Sequence, residues 1–429
     1  MKKSHTKLQI HLRQMILAIE NAVSLVGMND ANHGKRVGFI ASQLGAELNA
    51  SNIEQHYLFD LGLLHDCGVS TEQMHADLVN HFDYHDAHVH CEIGYNLLKN
   101  FEPLADFANP ILYHHTPWQD LQNQYSQGKL SEADIRRANI IFLSDRVDVL
   151  SFKHYGKDIL FVRDDVMATI EHYEGTYFNP EFVAAFRRLK NSEAFWITLQ
   201  ERHITRYTWE MGVFDTSKLL GIDQVKQLSL ILAYVVDQKS PFTTKHSARV
   251  ASLAKYLAQQ LNLSSLKCDK IEIAGLLHDL GKLRIPDAIL EKKGALTEME
   301  RSIMNQHSYE TFEIIRNIKG LEDIALWSAF HHERIDGHGY PFHPAEADFS
   351  LEARIIAVAD IFQALAQDRP YRAGLPLEDI IQILDECVDE GKIDHDIVMF
   401  IKENKQTCFS IASALVDAND LNPMFCLVD

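Results

Sequence analysis

The chain is poor in the features that mark a membrane protein, a disulfide scaffold or a nucleic-acid binder. No apolar run approaches the roughly 18 residues needed to cross a bilayer; the longest candidate is LSLILAYVV, from Leu228 to Val236. The opening MKKSHTKLQIHLRQ carries positive charge without the apolar core of a secretory signal, so a cytoplasmic location with no membrane association is expected. Six cysteines (Cys67, Cys91, Cys268, Cys387, Cys408, Cys426) are scattered with no CxxC pair, which excludes a zinc ribbon and argues against a disulfide framework. Basic charge is also short. With 41 Lys+Arg against 60 Asp+Glu, the net charge of −19 would repel a long nucleic acid, and any phosphate ligand must be drawn in by metal ions or a few placed cations. Sustained period-2 alternation is missing, so strands should be few.

Histidine is what the chain has in quantity, 23 among 429 residues, and the placement matters more than the number. LLHDLGK brings His278, Asp279 and Lys282 to the end of an apolar run, and HHERIDGHGYP follows from His331 to Pro341. A weaker copy of this pattern occupies the first half. His33 answers His246, and His65-Asp66 answers His278-Asp279, both at an offset of 213. His90 answers His307, and His114-His115 answers His331-His332, at 217; Asp145 answers Asp360 at 215. One slowly drifting offset points to duplication.

Between these anchors the apolar spacing is helical. Val250, Leu253, Ala254, Leu257, Ala258 and Leu261 fall at i, i+3, i+4, i+7, and Val37, Ile40, Ala41, Leu44 and Leu48 repeat the stripe. The expected fold class is all-α, with two related helical domains at 1–195 and 196–429, connecting helices opening the second. From Asn191 to Gln227 no Pro- or Ser-rich linker appears, and YTWEMGVF is aromatic enough to suggest domains packed on each other.

The chemistry follows from residue types. Adjacent side chains on a helix diverge by about 100°, so a His-Asp pair can face two neighbouring metals, and a carboxylate can bridge them. Asp279 is the candidate bridge. Gly281 reads as a stop signal for the helix that carries the pair. Two metals about 3.5–4 Å apart share a water, lower its pKa and direct the hydroxide at phosphorus. Lys282 would stabilise charge in the transition state. Imidazole and carboxylate ligands favour iron or manganese, with zinc, nickel and magnesium left open. Asp336-Gly337 is a turn signal.

These residues resemble the HD superfamily of metal-dependent phosphohydrolases, and the second half, from about Thr243 to Val398, resembles its HD-GYP branch of bacterial cyclic di-GMP phosphodiesterases. The resemblance implies that His246, His278, Asp279, His307, His331, His332 and Asp360 are metal ligands, that Asp279 and Lys282 are catalytic, and that Lys282 contacts the scissile phosphate. It places Gly339, Tyr340 and Pro341 along the substrate groove; Arg284, Arg369 and Arg372 are further candidate phosphate or base contacts. A glutamate and an aspartate that hold a third metal in some members are Phe242 and Gln363 here, so two metals are expected. Ser308 and Thr311 replace the family's proline and glycine after the mid-sequence histidine.

The first half keeps all seven ligand types (His33, His65, Asp66, His90, His114, His115, Asp145) but has Val69 where Lys282 stands, and no GYP loop. It is expected to be a degenerate HD domain with a second metal site of structural or regulatory use, its Trp118 and Tyr125 packing in the substitute loop. The implied activity is hydrolysis of cyclic di-GMP or 3'3'-cyclic GMP-AMP to a linear dinucleotide by a metal-bridging hydroxide. A silent cyclic-dinucleotide receptor and an HD nucleotidase are the alternatives, and a homodimer is compatible with either.

Overall fold

The computed structural model describes residues 8–26, 32–80, 87–213, 218–239, 246–367 and 373–413. Among them the all-α expectation holds: the strands are two dipeptides, Ile10–His11 and Leu219–Leu220, paired with each other. No described helix is long and apolar enough to cross a membrane.

The predicted stripes are the buried faces. His246–Gln260 buries Val250, Leu253, Ala254, Leu257 and Ala258, and His33–Glu47 buries Val37, Ile40, Ala41 and Leu44. Leu48 and Leu261 lie just past the helix ends and are only partly buried. Both helices stop in the same way. Asn49 and Asn262 each take φ 59°, a left-handed conformation that asparagine tolerates at helix C-termini. Ala50 N then donates to Gly45 O over 2.9 Å and Leu263 N to Ala258 O over 3.1 Å, satisfying carbonyls the helix leaves open. The next helices, Asn52–Leu64 and Ser265–Leu277, start on Ser51 and Ser264, whose side chains accept from Glu54 N and Lys267 N. The same stop and start recur at the offset of 213, so the duplication is present in backbone chemistry as well as in the histidines.

Among the described residues the chain divides into two compact units, one His11–Lys218 and the other 219–413 with the short segment 8–10. In the first, Glu132–Ser151 packs against His33–Glu47 and Ala105–Leu112. In the second, Leu351–Ala366 packs against His246–Gln260 and Glu322–Ala329. The first unit runs beyond the expected boundary at 195, because Glu193–Thr198 and Glu201–Val213 lay aromatics on its core. Phe195 stacks on Phe39 at 5.6 Å, and Tyr207 meets Phe39 and Phe59 edge-on at 4.8 and 5.7 Å.

Candidate metal centres

Each ligand-type residue of the second unit reaches the centre from a helix end or a helix interior. His246 opens His246–Gln260, His278 caps Ser265–Leu277, and Asp279 starts the 3-10 turn Leu280–Arg284. His307 lies in Gln306–Ile315, His331 and His332 in the turn Phe330–His332, and Asp360 inside Leu351–Ala366. All seven fall into three overlapping clusters: His246, His278, Asp279; His278, His331, Asp360; and His307, His331, His332, with ligand atoms in each within 4.8 Å of one another. Asp279 stands between them. Its Oδ2 is 3.6 Å from His246 Nε2 and 3.3 Å from His278 Nε2, while Oδ1 is 3.6 Å from His307 Nε2 and 3.8 Å from His331 Nε2.

The outer ring nitrogens are committed elsewhere. His278 Nδ1 donates to Gly275 O (2.7 Å), His307 Nδ1 to Met304 O (2.7 Å) and His331 Nδ1 to Ser328 O (2.6 Å). Carbonyls only accept, so each Nδ1 carries a proton. Burial keeps His307 and His331 neutral with a lone pair turned inward, whereas at His278 burial is outweighed by the carboxylates of Asp279 and Asp360, which raise the ring to about 9. His307 Nε2 and His331 Nε2 then face each other at 3.1 Å, two acceptors with no proton between them. His278 Nε2 and Asp279 Oδ1 are buried with no hydrogen-bond partner. A cluster of inward lone pairs around an orphaned carboxylate oxygen is stable when divalent cations sit among them, so the residues fit a metal centre. Burial agrees, pushing His307 down to about 3 and His332 to about 4 and keeping these rings neutral near pH 7.

The first unit repeats this arrangement with its own seven residues. Asp66 Oδ2 faces His33 and His65 at 3.6 and 3.4 Å, and Oδ1 faces His90 at 3.4 Å. His65 Nδ1 donates to Gly62 O and His114 Nδ1 to Ile111 O, and His90 Nε2 meets His114 Nε2 at 3.2 Å. His115 and Asp145 complete the set, His115 Nδ1 lying 4.0 Å from Asp145 Oδ2. Two features are new in this copy. Arg146, buried, holds Asp145 Oδ2 at 2.7 Å, and Cys91 joins His90, His114 and His115 in one cluster.

The HD-domain family model matches residues 231–397, and a second HD-domain model matches 30–150. The 3'3'-cGAMP-specific phosphodiesterase 1 of Vibrio cholerae is 36% identical over 96% of both chains. The chain belongs to the HD-domain phosphodiesterase family. Another relative, the 3'3'-cGAMP-specific phosphodiesterase 3 of the same organism, is 33% identical over 58% of this chain and 53% of its own. A cyclic di-GMP phosphodiesterase of Pseudomonas aeruginosa is 38% identical over 34% of this chain and 35% of its own. The crystal structure of a cyclic GMP-AMP specific phosphodiesterase from V. cholerae aligns with a TM-score of 0.64 at 24% identity, covering 96% of this chain and 100% of that one, a likeness of fold.

In this HD-domain phosphodiesterase Lys282 Nζ lies 2.5 Å from Asp279 Oδ2, at the edge of the second centre. Tyr340 N donates to His332 O over 3.2 Å, and the Tyr340 ring lies 4.9 Å from that of His332. Gly339 lets the loop close, since a Cβ there would meet Glu333 Cα at 2.4 Å; Pro341 follows, partly buried. Arg284 is paired with Glu310, which leaves less of its guanidinium for a ligand. Arg369, Arg372 and Phe242 lie outside the described residues.

Gly281 is not a left-handed helix stop. It takes no positive φ, and a Cβ on it would meet His307 O at 2.0 Å, so glycine is needed for close approach. Gly68 has the same role against His90 O at 2.1 Å. The sequence TPWQDLQNQYS that replaces the GYP loop forms the helix Trp118–Ser126 rather than a loop. Trp118 packs with Leu121, Leu130, Ile135 and Ala138, whereas Tyr125 is exposed.

Three supporting residues escaped sequence reasoning. Gln363, treated only as a missing third-metal ligand, accepts from His246 Nδ1 through Oε1 and so orients a ligand; its counterpart Asp148 accepts from His33 Nδ1 at 2.8 Å. Thr311 Oγ1 accepts from Gly281 N (2.9 Å) and donates to His278 O (3.1 Å), clamping the His-Asp turn. Glu333 Oε1 accepts from Phe342 N (2.6 Å) and His343 N (3.2 Å), fixing the end of the GYP loop. The parallel between Gln363 and Asp148 at the offset of 215 was the available signal for the first; the others had none.

Proposed function

We propose that this phosphodiesterase opens a cyclic dinucleotide to a linear one at the centre around Asp279, taking 3'3'-cyclic GMP-AMP in preference to cyclic di-GMP. The observation that carries the catalytic half is the division of Asp279, one oxygen toward His246 and His278 and the other toward His307 and His331. That division suits two divalent ions, iron or manganese by ligand type, with His246, His278 and Asp360 on one side and His307, His331 and His332 on the other. Gln363, an amide engaged by His246, replaces the carboxylate a third ion would use. Bound ions would supply positive charge to the phosphate oxygens and acidify a water. The chain's own contributions are then distinct. Lys282 brings an ammonium to the edge where a phosphate would meet Asp279, Glu333 holds the loop, and the Tyr340 ring offers an aromatic face beside His332.

The preference for the mixed dinucleotide is supported by the V. cholerae 3'3'-cGAMP-specific relative, which is similar along 96% of both chains, while the cyclic di-GMP relative from P. aeruginosa is similar along about a third. The first unit is read as a degenerate HD domain with a metal site of structural or regulatory use, since Val69 is buried where Lys282 stands and a helix replaces the loop. Metal-loaded protein incubated with each cyclic dinucleotide, products separated by chromatography, tests the reading. Linear product from 3'3'-cyclic GMP-AMP at the higher kcat/KM is expected. Tight binding with no turnover would make the protein a receptor, and phosphate release from mononucleotides alone would make it a nucleotidase.

A further inference from the structure

The two centres also differ at the residue that follows the mid-sequence histidine. In the second unit Ser308, after His307, places its hydroxyl 3.3 Å from His307 Nε2, so this side chain points at the inward nitrogen. In the first unit the same position is Cys91, with Sγ 3.7 Å from His90 Nε2 and 3.5 Å from His114 Nδ1. Cys91 is 1% exposed, and His90 and His114 are fully buried. Sγ and the ligand nitrogens of His90, His114 and His115 lie within 4.8 Å of one another, and among the described residues no cysteine belongs to a cluster of the second unit. His90 Nδ1 is also buried without a hydrogen-bond partner, unlike His307 Nδ1, which is bound to Met304 O.

We propose that the first unit holds a zinc-class divalent ion with the Cys91 thiolate as a ligand alongside His90, His114 and His115. Resting on the reading of this unit as metal-binding, it adds what the ion is and why the site is silent. Three imidazoles and one thiolate are a four-coordinate set of the kind that closes a structural zinc site. A thiolate moves metal preference away from iron or manganese toward softer ions. With the fourth position taken by sulfur, no position is open for water, and the oxygen of Asp145 nearest His115 is held by Arg146. The bond forms as the thiol, now donating to Ala87 O at 3.3 Å, gives its proton to solvent. No oxidant is needed.

Cobalt(II) loading of the full chain tests this, because only a thiolate ligand produces an intense near-ultraviolet charge-transfer band. The expected result is that band in the parent protein and in Asp279→Ala, and its loss in Cys91→Ser with one ion fewer per chain by elemental analysis. A circular dichroism spectrum matching the parent confirms that Cys91→Ser is folded. Metal bound in the first unit with no thiolate band, or Cys91→Ser retaining every ion, would overturn the proposal while leaving that unit a metal site. If His90→Ala and His114→Ala fold and lose no ion relative to the parent, the underlying reading fails as well.

Discussion

Lys282 and the histidines act through charge, so their predictions belong to single residues. The Lys282 ammonium is the cation that distinguishes the second centre from the first, where Val69 stands. Lys282→Ala should lower kcat roughly 10²–10³-fold, the usual cost of removing one preorganised donor from a developing charge, with metal content unchanged by elemental analysis. An equal loss of metal would show instead that the lysine supports the site. The histidines predict a pH dependence of stability for the chelated protein. Burial depresses His307 to about 3 and His332 to about 4, and in the first unit His114 to about 3 and His90 to about 4. An unfolded histidine takes its proton near 6.5. Between about pH 6.5 and 4 the unfolded chain therefore binds more protons at these four positions, so their contribution is full above 6.5 and falls as the pH drops through that window. His278, where burial is outweighed by Asp279 and Asp360 and the ring is raised to about 9, acts the opposite way, its contribution full below about 6.5 and lost as the pH rises through 9. Each depressed histidine contributes a slope of up to about 1.4 kcal/mol per pH unit. Urea unfolding of chelated protein across that range checks it; a flat profile would contradict the depressed values.

At the scale of elements, the turn His278–Arg284 is gripped by the helix Gln306–Ile315. Thr311 bonds both ends of the His-Asp turn, and Gly281 sits where a side chain would strike His307 O. The same helix carries His307, so the contact sets the distance between Asp279 and His307. Gly281→Ala should push the helix away and lose metal, at a cost toward or above the 1–3 kcal/mol usual for overpacking; melting temperature and metal content should fall together, and parent-like values for both would refute the grip. Here the limits of sequence reading are visible. The seven ligand types were legible because they recur in order in two copies, and the helices because their apolar spacing is regular. The contact Gln363 makes with His246 was missed because the two are 117 residues apart. Gly281 was misjudged because a glycine after a helix looks the same whether it serves the turn or a neighbouring backbone.

For the whole molecule, duplication has produced two centres of one design, and the surrounding residues divide the labour between them. Both place a carboxylate between histidines on opposite sides, Asp279 in one and Asp66 in the other. Only the second adds an ammonium beside the carboxylate, Lys282, and a loop tied back by Glu333. The first instead pairs Asp145 with Arg146 and covers the equivalent region with the helix Trp118–Ser126. At a net charge of −19 the protein as a whole repels an anionic ligand, so capture of a doubly charged cyclic dinucleotide depends on local cations; Lys282 of the second centre is partly exposed, whereas Arg146 of the first is buried. Activity should therefore follow the second centre alone. Asp279→Ala is expected to abolish turnover, at least a 10³-fold loss in kcat on the scale of removing a principal catalytic group, while Asp66→Ala retains turnover within about an order of magnitude. Both are to be measured with 3'3'-cyclic GMP-AMP, alongside circular dichroism and elemental analysis. A folded Asp66→Ala protein with no activity would mean that the first centre participates in the reaction, and the division of labour between the copies would fall with it.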